Sequence, residues 1–294
     1  QILQLRAWDE AAKVVDEVGA PLAHYRALIA EQLRHAPPRP AQLRFWRDHG
    51  YLHMTGFLNA YERTALQEWV DDFQQRPETA GRWMKYFEVG AGGARQLCRV
   101  ENFLQFHDGL AALIGGPRML AIVAALFGEP AVLFKEKINY KLPGGNGFAP
   151  HQDAPAFTSF GQSLHITLMI SVDATTEANG CLEIARHPGP LALLPVADDL
   201  TIAPANLEKM EWLPLPTEPG DLLFFDSFLP HRSGPNRTDL PRRALYLTYN
   251  KAAEGSRRND YYREKRAVFP PDVEREAGRD YGASGVFNVG NPIR

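Results

Sequence analysis

Cysteine is nearly absent: Cys98 and Cys181 are the only two in 294 residues. Two thiols cannot build a cysteine-rich zinc site, and a single bridge is no disulfide scaffold. The expectation is a reducing, cytoplasmic setting with both thiols acting as small buried apolar groups. A dominant charge is missing too. Lys and Arg total 32 against 35 Asp and Glu, a net charge of −3. That excludes the global basic field by which nucleic acid or an anionic membrane is gripped, so neither is expected as a partner. No apolar run approaches the ~20 residues of a membrane span. The opening "QILQLRAWDEAAKVVDEVGA" is charged and amphipathic, unlike a signal peptide, and the missing initiator Met suggests trimming. Repeats and low-complexity tracts are lacking as well.

What is present is core material. Hydrophobic residues make up 45%, enough to bury a full core and to exclude disorder. The length permits one large domain or two small ones, at ~100–200 residues each. The expectation is one domain over residues 1–294. Residues 1–130 supply mainly helical support and a lid, 131–250 the core, and 251–294 an irregular C-terminal wrap.

Residues 1–35 read as helical. Helix, short strand and helix follow in "RPAQLRFWRDHGYLHMTGFLNAYERTALQEWVDDFQQ". Another helix is expected at "GPRMLAIVAALFGEP", with Pro117 at its start and Gly128 at its stop. From residue 131 the period changes to two. "AVLFKEKINYKL", "SLHITLMISVD", "GCLEIA", "GDLLFFDSF" and "RRALYLTYN" read as strands separated by Gly, Pro, Asn and Asp turns. The fold class expected is mainly β with flanking helices, its core a sandwich or jelly roll.

Chemistry concentrates at "APHQDAPAF". In an extended chain His151 and Asp153, two positions apart, point to one side. That is half of a metal site, and on its own a weak motif. Of nine histidines, His24, His35, His49, His53 and His107 lie in the helical half, His187 in a turn, and His165 out of phase on a strand. His231 stands at a strand end, 80 residues after His151. Two imidazoles and a carboxylate leave coordination positions open and suit a non-haem Fe(II) that activates dioxygen. Arg242, 11 residues beyond His231, has the fork to grip the far carboxylate of a 2-oxo acid.

The pieces "PHQDAPAF", "NGCLEIARHPG", "GDLLFFDSFLPHRSGPNRT" and "RRALYLTYN" together resemble the phytanoyl-CoA dioxygenase family of Fe(II)/2-oxoglutarate-dependent oxygenases. The resemblance covers most of residues 131–250, with "HRSGPN" in place of its H-x-S-G-x-N pattern, and only loosely the first 90. It implies a double-stranded β-helix, or cupin-like jelly roll. It implies His151, Asp153 and His231 as catalytic iron ligands, and Arg242 with Ser233 on the distal carboxylate of 2-oxoglutarate. Arg99 in "RVENF", Lys137 and Met169 match weaker co-substrate positions. Halogenating relatives replace the metal-binding Asp, so Asp153 implies hydroxylation, with succinate and carbon dioxide released.

Strand parity puts Leu164, Ile166, Leu168, Ile170 and Val172 on one face and His165, Thr167, Met169 and Ser171 on the other. Lys135, Lys137, Asn139 and Lys141 likewise share a face. Two readings stand: a polar cavity wall, or the solvated side of an edge strand. Asn139 and Thr167 are candidate substrate contacts, joined by Lys85 and Tyr86 from "GRWMKYFEV", which reads as a lid or as ordinary packing with Trp83 and Phe87. Arg257, Arg258, Asn288, Asn291 and Arg294 in the tail can meet an anion or face solvent. The run "KYFE…RVENF…KEKINYKLPGG…APHQDAPAF" resembles bacterial members that hydroxylate small aminoalkylphosphonates. The substrate expected is therefore small, polar and anionic. A natural-product or amino-acid hydroxylase, a zinc hydrolase and a non-catalytic jelly-roll binding module are the alternatives.

Overall fold

A computed structural model of the chain describes residues 37–186, 191–281 and 285–293. The helical reading of residues 1–35, and His24, His35, His187 and Arg294, lie outside the described residues. All described residues belong to one compact unit, Pro37–Arg294.

Local chemistry sets the first elements. Helix α1 (Pro40–His49) begins with a proline and ends at Gly50, whose φ of 70° favours glycine. Strand β1 (Tyr51–Met54) follows. Helix α2 (Ala60–Gln75) opens on a capping box: Asn59 Oδ1 accepts from the Glu62 amide at 3.0 Å, and Glu62 returns the bond to the Asn59 amide. The expected lid then departs from the sequence reading. Residues 84–101 form a hairpin, β2 (Met84–Val89) and β3 (Arg95–Glu101), turning on the Gly-rich stretch. Trp83 packs edge-on to Phe73 in the core, which settles its role as packing.

Helices α3 (Asp108–Gly115) and α4 (Pro117–Phe127) come next. Together, Asp108–Phe127 have the length and apolarity of a membrane span, contrary to the sequence expectation. Gly116 is extended and breaks the run, however, and Leu110, Ile114, Met119 and Ile122 bury in the main core. Their apolarity is that of core helices.

Two sheets build the jelly roll. The larger has seven strands in the order β1-β9-β6-β11-β4-β3-β2 and the smaller four, β5-β10-β7-β8. The remaining strands are β4 (Ala131–Lys141), β5 (Phe148–His151), β6 (His165–Ser171), β7 (Leu182–Ala185), β8 (Trp212–Leu215), β9 (Leu222–Asp226), β10 (His231–Ser233) and β11 (Arg242–Lys251). Every strand pairing among the described residues is antiparallel, as expected of this architecture. Ile166, Leu168, Ile170 and Val172 face the helices, while Met169 faces the interior with Leu223, Ala244 and Tyr246. Parity reading on β6 therefore holds. The edge-strand alternative for β4 does not, because β4 lies between β11 and β3. The C-terminal wrap is also more regular than expected. It carries helix α5 (Arg258–Val268). Tyr261, Tyr262, Phe269, Phe287 and Val289 pack there against Met84, Tyr86 and Phe134.

Candidate active site

His151 ends β5 and His231 begins β10, and the antiparallel register makes them direct partners. Their ring centroids lie 4.2 Å apart. Asp153 follows at the entry to a short 3-10 turn. Gln152, between them, is held the other way: its amide donates to the carbonyls of Ala192 and Phe228 and accepts from the Leu194 amide. One ligand atom from each of His151, Asp153 and His231 lies within 4.8 Å of the others, and all three are buried.

The tautomers are set locally. Nδ1 of His151 donates to the Ala149 carbonyl at 2.7 Å and Nδ1 of His231 to that of Leu229 at 3.0 Å. Each Nε2 is thereby left as the lone-pair donor. Burial, and then the neighbouring His231, lowers His151 to about 3. Burial likewise lowers His231. Burial pushes the Asp153 carboxyl up, but His231, Lys135 and Lys137 outweigh it and hold it below the usual carboxylate range. Two neutral imidazoles and an ionised carboxylate are the protonation state a metal requires. Thr167 supports this geometry: its hydroxyl donates to Asp153 Oδ2 at 2.9 Å and pairs with Thr248 at 3.2 Å. The structure thus puts Thr167 behind the carboxylate, away from the substrate role expected of it.

The facing wall is the interior side of the seven-stranded sheet, organised in rungs across the strands. Arg242 and Lys141 pair in the first rung. Arg242 is 1% exposed, and its Nε has no hydrogen-bond partner. Its Nη2 reaches only Tyr246 Oη at 3.2 Å and Met169 Sδ at 3.8 Å. Among the described residues no carboxylate pairs with it, so a buried cation with an orphaned donor awaits an anion. Lys141, unassigned by the sequence reading, donates to Ser233 Oγ at 2.8 Å and to the carbonyls of Gly180 and Gly234. The Ser233 oxygen is thus occupied as an acceptor, and its own proton is free to be donated. Burial, then Arg242, pulls Lys141 down to about 6.

The next rung holds Ala244, Asn139, Arg99 and Tyr86. Asn139 Oδ1 accepts from Arg99 Nε at 3.1 Å. Arg99 also pairs with Glu101 at 3.2 Å and meets Asn291 of the tail. The third rung is Met169, Tyr246, Lys137 and Glu101. Thr167, Thr248 and Lys135 make the fourth. Two expected substrate contacts have other partners in the fold. Lys85 is the register partner of Val100, on the helical side, and its ammonium donates to the Gln74 and Arg76 carbonyls at the end of α2. A cation there meets the negative end of the helix. Tyr86 faces inward but stacks on Phe269 and donates to its carbonyl at 2.7 Å, closed beneath the C-terminal segment. Of the tail charges, Arg258 pairs with buried Glu136, while Arg257 pairs with Asp260 at the exposed start of α5.

A jelly roll with a buried His-Asp-His set at its strand ends and a buried, unpaired arginine on the opposite wall belongs to the oxygenase class of this architecture. The chain is a member of the phytanoyl-CoA dioxygenase (PhyH) family, which matches residues 46–244. It is similar to a 2-aminoethylphosphonate dioxygenase of an uncultured bacterium, 48% identical over 85% of this chain and 96% of the relative. It is also similar to a methylphosphonate hydroxylase of Gimesia maris, 44% identical over 78% and 87%. Among solved structures it resembles SnoN, a non-haem alpha-ketoglutarate-dependent epimerase from nogalamycin biosynthesis. The TM-score is 0.60 at 25% identity, covering 73% of this chain and 85% of that one.

Proposed function

We propose that this chain is an Fe(II)- and 2-oxoglutarate-dependent dioxygenase, folded as a single oxygenase domain, that hydroxylates a small phosphonate. The observation that carries it is the pairing of a ligand-ready triad with the orphaned guanidinium of Arg242. His151, Asp153 and His231 hold the metal, and Thr167 fixes the orientation of the carboxylate. Arg242 and the Ser233 hydroxyl bind the distal carboxylate of 2-oxoglutarate, with Lys141 holding Ser233 in its donating sense. Met169 and Tyr246 line that site beside the guanidinium. The chemistry supplied by bound iron and 2-oxoglutarate is C–H hydroxylation by dioxygen, one oxygen atom reaching the substrate and the other succinate, with carbon dioxide released. The chain's own part is to position the reactants and to exclude water, which its buried triad and tail-covered wall do. Two relatives named for phosphonates, at 48% and 44% identity, support the substrate class.

The test is succinate formation with 2-aminoethylphosphonate, methylphosphonate, a carboxylate of matching size and a long-chain acyl-CoA side by side. Turnover is expected with a phosphonate. Turnover only with the acyl-CoA overturns the substrate reading, and no turnover with any of them overturns the proposal.

A further inference from the structure

Two lysines of the interior wall have no acceptor among the described residues. Lys135 and Lys137 lie two apart on β4, so both project inward, and Lys135 is 7% exposed. Among the described residues neither ammonium makes a hydrogen bond or an ion pair. Lys135 Nζ stands 4.0 Å from the centroid of Phe157 and 5.5 Å from that of Tyr261. Lys137 Nζ stands 5.3 Å from the ring of Tyr246. Aromatic faces partly offset the lost hydration of an ammonium, but they do not accept its protons in normal hydrogen bonds.

The nearby carboxylates are already engaged. Glu101 accepts from Lys265 at 2.7 Å and pairs with Arg99 at 3.2 Å. Asp153 accepts from Thr167 and belongs to the triad. Lys135 nevertheless feels Asp153, which opposes the effect of burial on its charge. Burial pulls both amines below the usual lysine range, Lys137 the further, and Asp153 and Glu101 oppose it; they therefore lie near the metal ligands with donors to spare and no acceptor among the described residues, and a bound anion would restore their charge.

We infer that Lys135 and Lys137 form the anion subsite of the substrate pocket, gripping the phosphonate group while its carbon chain meets the metal. This inference rests on the proposed function for the substrate class. A phosphonate offers three acceptor oxygens in a tetrahedral array, which suits two separate point donors; a planar carboxylate suits the forked guanidinium of Arg242. The two anions of the reaction are thereby sorted. The co-substrate carboxylate goes to Arg242, flanked by Met169 and Tyr246, and the phosphonate to Lys135 and Lys137, which moves Lys137 to the substrate from the co-substrate position that the family resemblance implies.

The experiment is calorimetric titration of the anaerobic Fe(II)- and 2-oxoglutarate-loaded enzyme with 2-aminoethylphosphonate and with methylphosphonate, for the wild type, Lys135→Met, Lys135→Arg and Lys137→Met. Either methionine variant is expected to weaken phosphonate binding by at least about 30-fold, the range for truncating one partner of a buried charge pair. 2-Oxoglutarate affinity, titrated separately, stays within about threefold. Lys135→Arg recovers part of the loss, which a merely misfolded variant cannot do. Unchanged phosphonate affinity in Lys135→Met overturns the subsite and leaves the proposed function standing. Equal losses of phosphonate and 2-oxoglutarate also overturn it. A wild type that binds no phosphonate overturns both.

Discussion

Gly290 shows how closely the tail meets the metal site. Its amide oxygen accepts from Ala149, and its φ is 66°. A Cβ there stands 2.8 Å from His151 Nδ1 and 3.0 Å from the Ala149 carbonyl, the pair that fixes the imidazole tautomer. Gly290→Ala is therefore expected to turn the ring and weaken Fe(II) binding by on the order of 10-fold, the lower range for losing such support. A metal titration with unchanged affinity counts against this contact. Arg242→Ala makes the complementary test: 2-oxoglutarate binding falls by about 2–5 kcal/mol while iron affinity barely moves. If the co-substrate binds the variant normally, Arg242 is structural. His151, Asp153, His231 and Arg242 stand out in the sequence through the motif order of the family it resembles, and the structure brings the first three together. Gly290 and Lys141 do not stand out. Their roles arise from partners far along the chain, and nothing in a lone glycine or lysine tells what it will touch.

At the level of elements, the sequence is ambiguous wherever polar residues alternate. "KEKINYK" reads equally as a solvated edge or as the wall of a polar cavity, because period two reports a face without saying what lies beyond it. Pairing on both sides by β11 and β3 decides for the cavity. The β2–β3 hairpin was missed because its strands carry charges inside and its turn is rich in glycine, the composition of a loop. Helix α5 was missed because its polar face dominates. It docks through Tyr261, Tyr262 and two buried ion pairs: Lys265 meets Glu101 at 2.7 Å, and Arg258 Nε donates at 2.8 Å to Glu136, which is fully buried. Arg258→Met leaves that carboxylate uncompensated. We expect a loss of about 2–4 kcal/mol, moderated because Arg258 keeps some contact with solvent. That corresponds to a fall in Tm on the order of 5–10 °C. Thermal melts of wild type and variant that coincide would show that the helix docks without help from the Arg258 pair.

Across the whole molecule, the interior holds imidazoles that resist protonation. Burial lowers His151 and His165 from 6.5 to about 3, and it lowers His231 as well. His165 lies deep against Phe134 and Phe157, its Nε2 2.8 Å from Gln162 Oε1. In the unfolded chain all three titrate near 6.5. Between that value and about 3 the unfolded state binds protons that His151 and His165 refuse in the fold, and His231 acts in the same direction, so folding stability falls as the pH falls. Each histidine contributes up to about 1.4 kcal/mol per pH unit in that window. Asp226 works the other way, since burial raises it to about 6. Between pH 6 and 3.8 it takes a proton in the folded state first, offsetting roughly one of the three. The metal-free protein is thus expected to lose on the order of 1.4 kcal/mol per pH unit below about pH 6 from His151 and His165 net of Asp226, with His231 adding in the same direction. Iron adds to the slope, because its ligands must stay deprotonated and acid releases it. Melts of chelated and iron-loaded protein at pH 7, 6 and 5 separate the two contributions. A Tm of the chelated protein that is flat across this range would mean that the three imidazoles accept protons in the fold, and the ligand-ready state of the triad would fall with it.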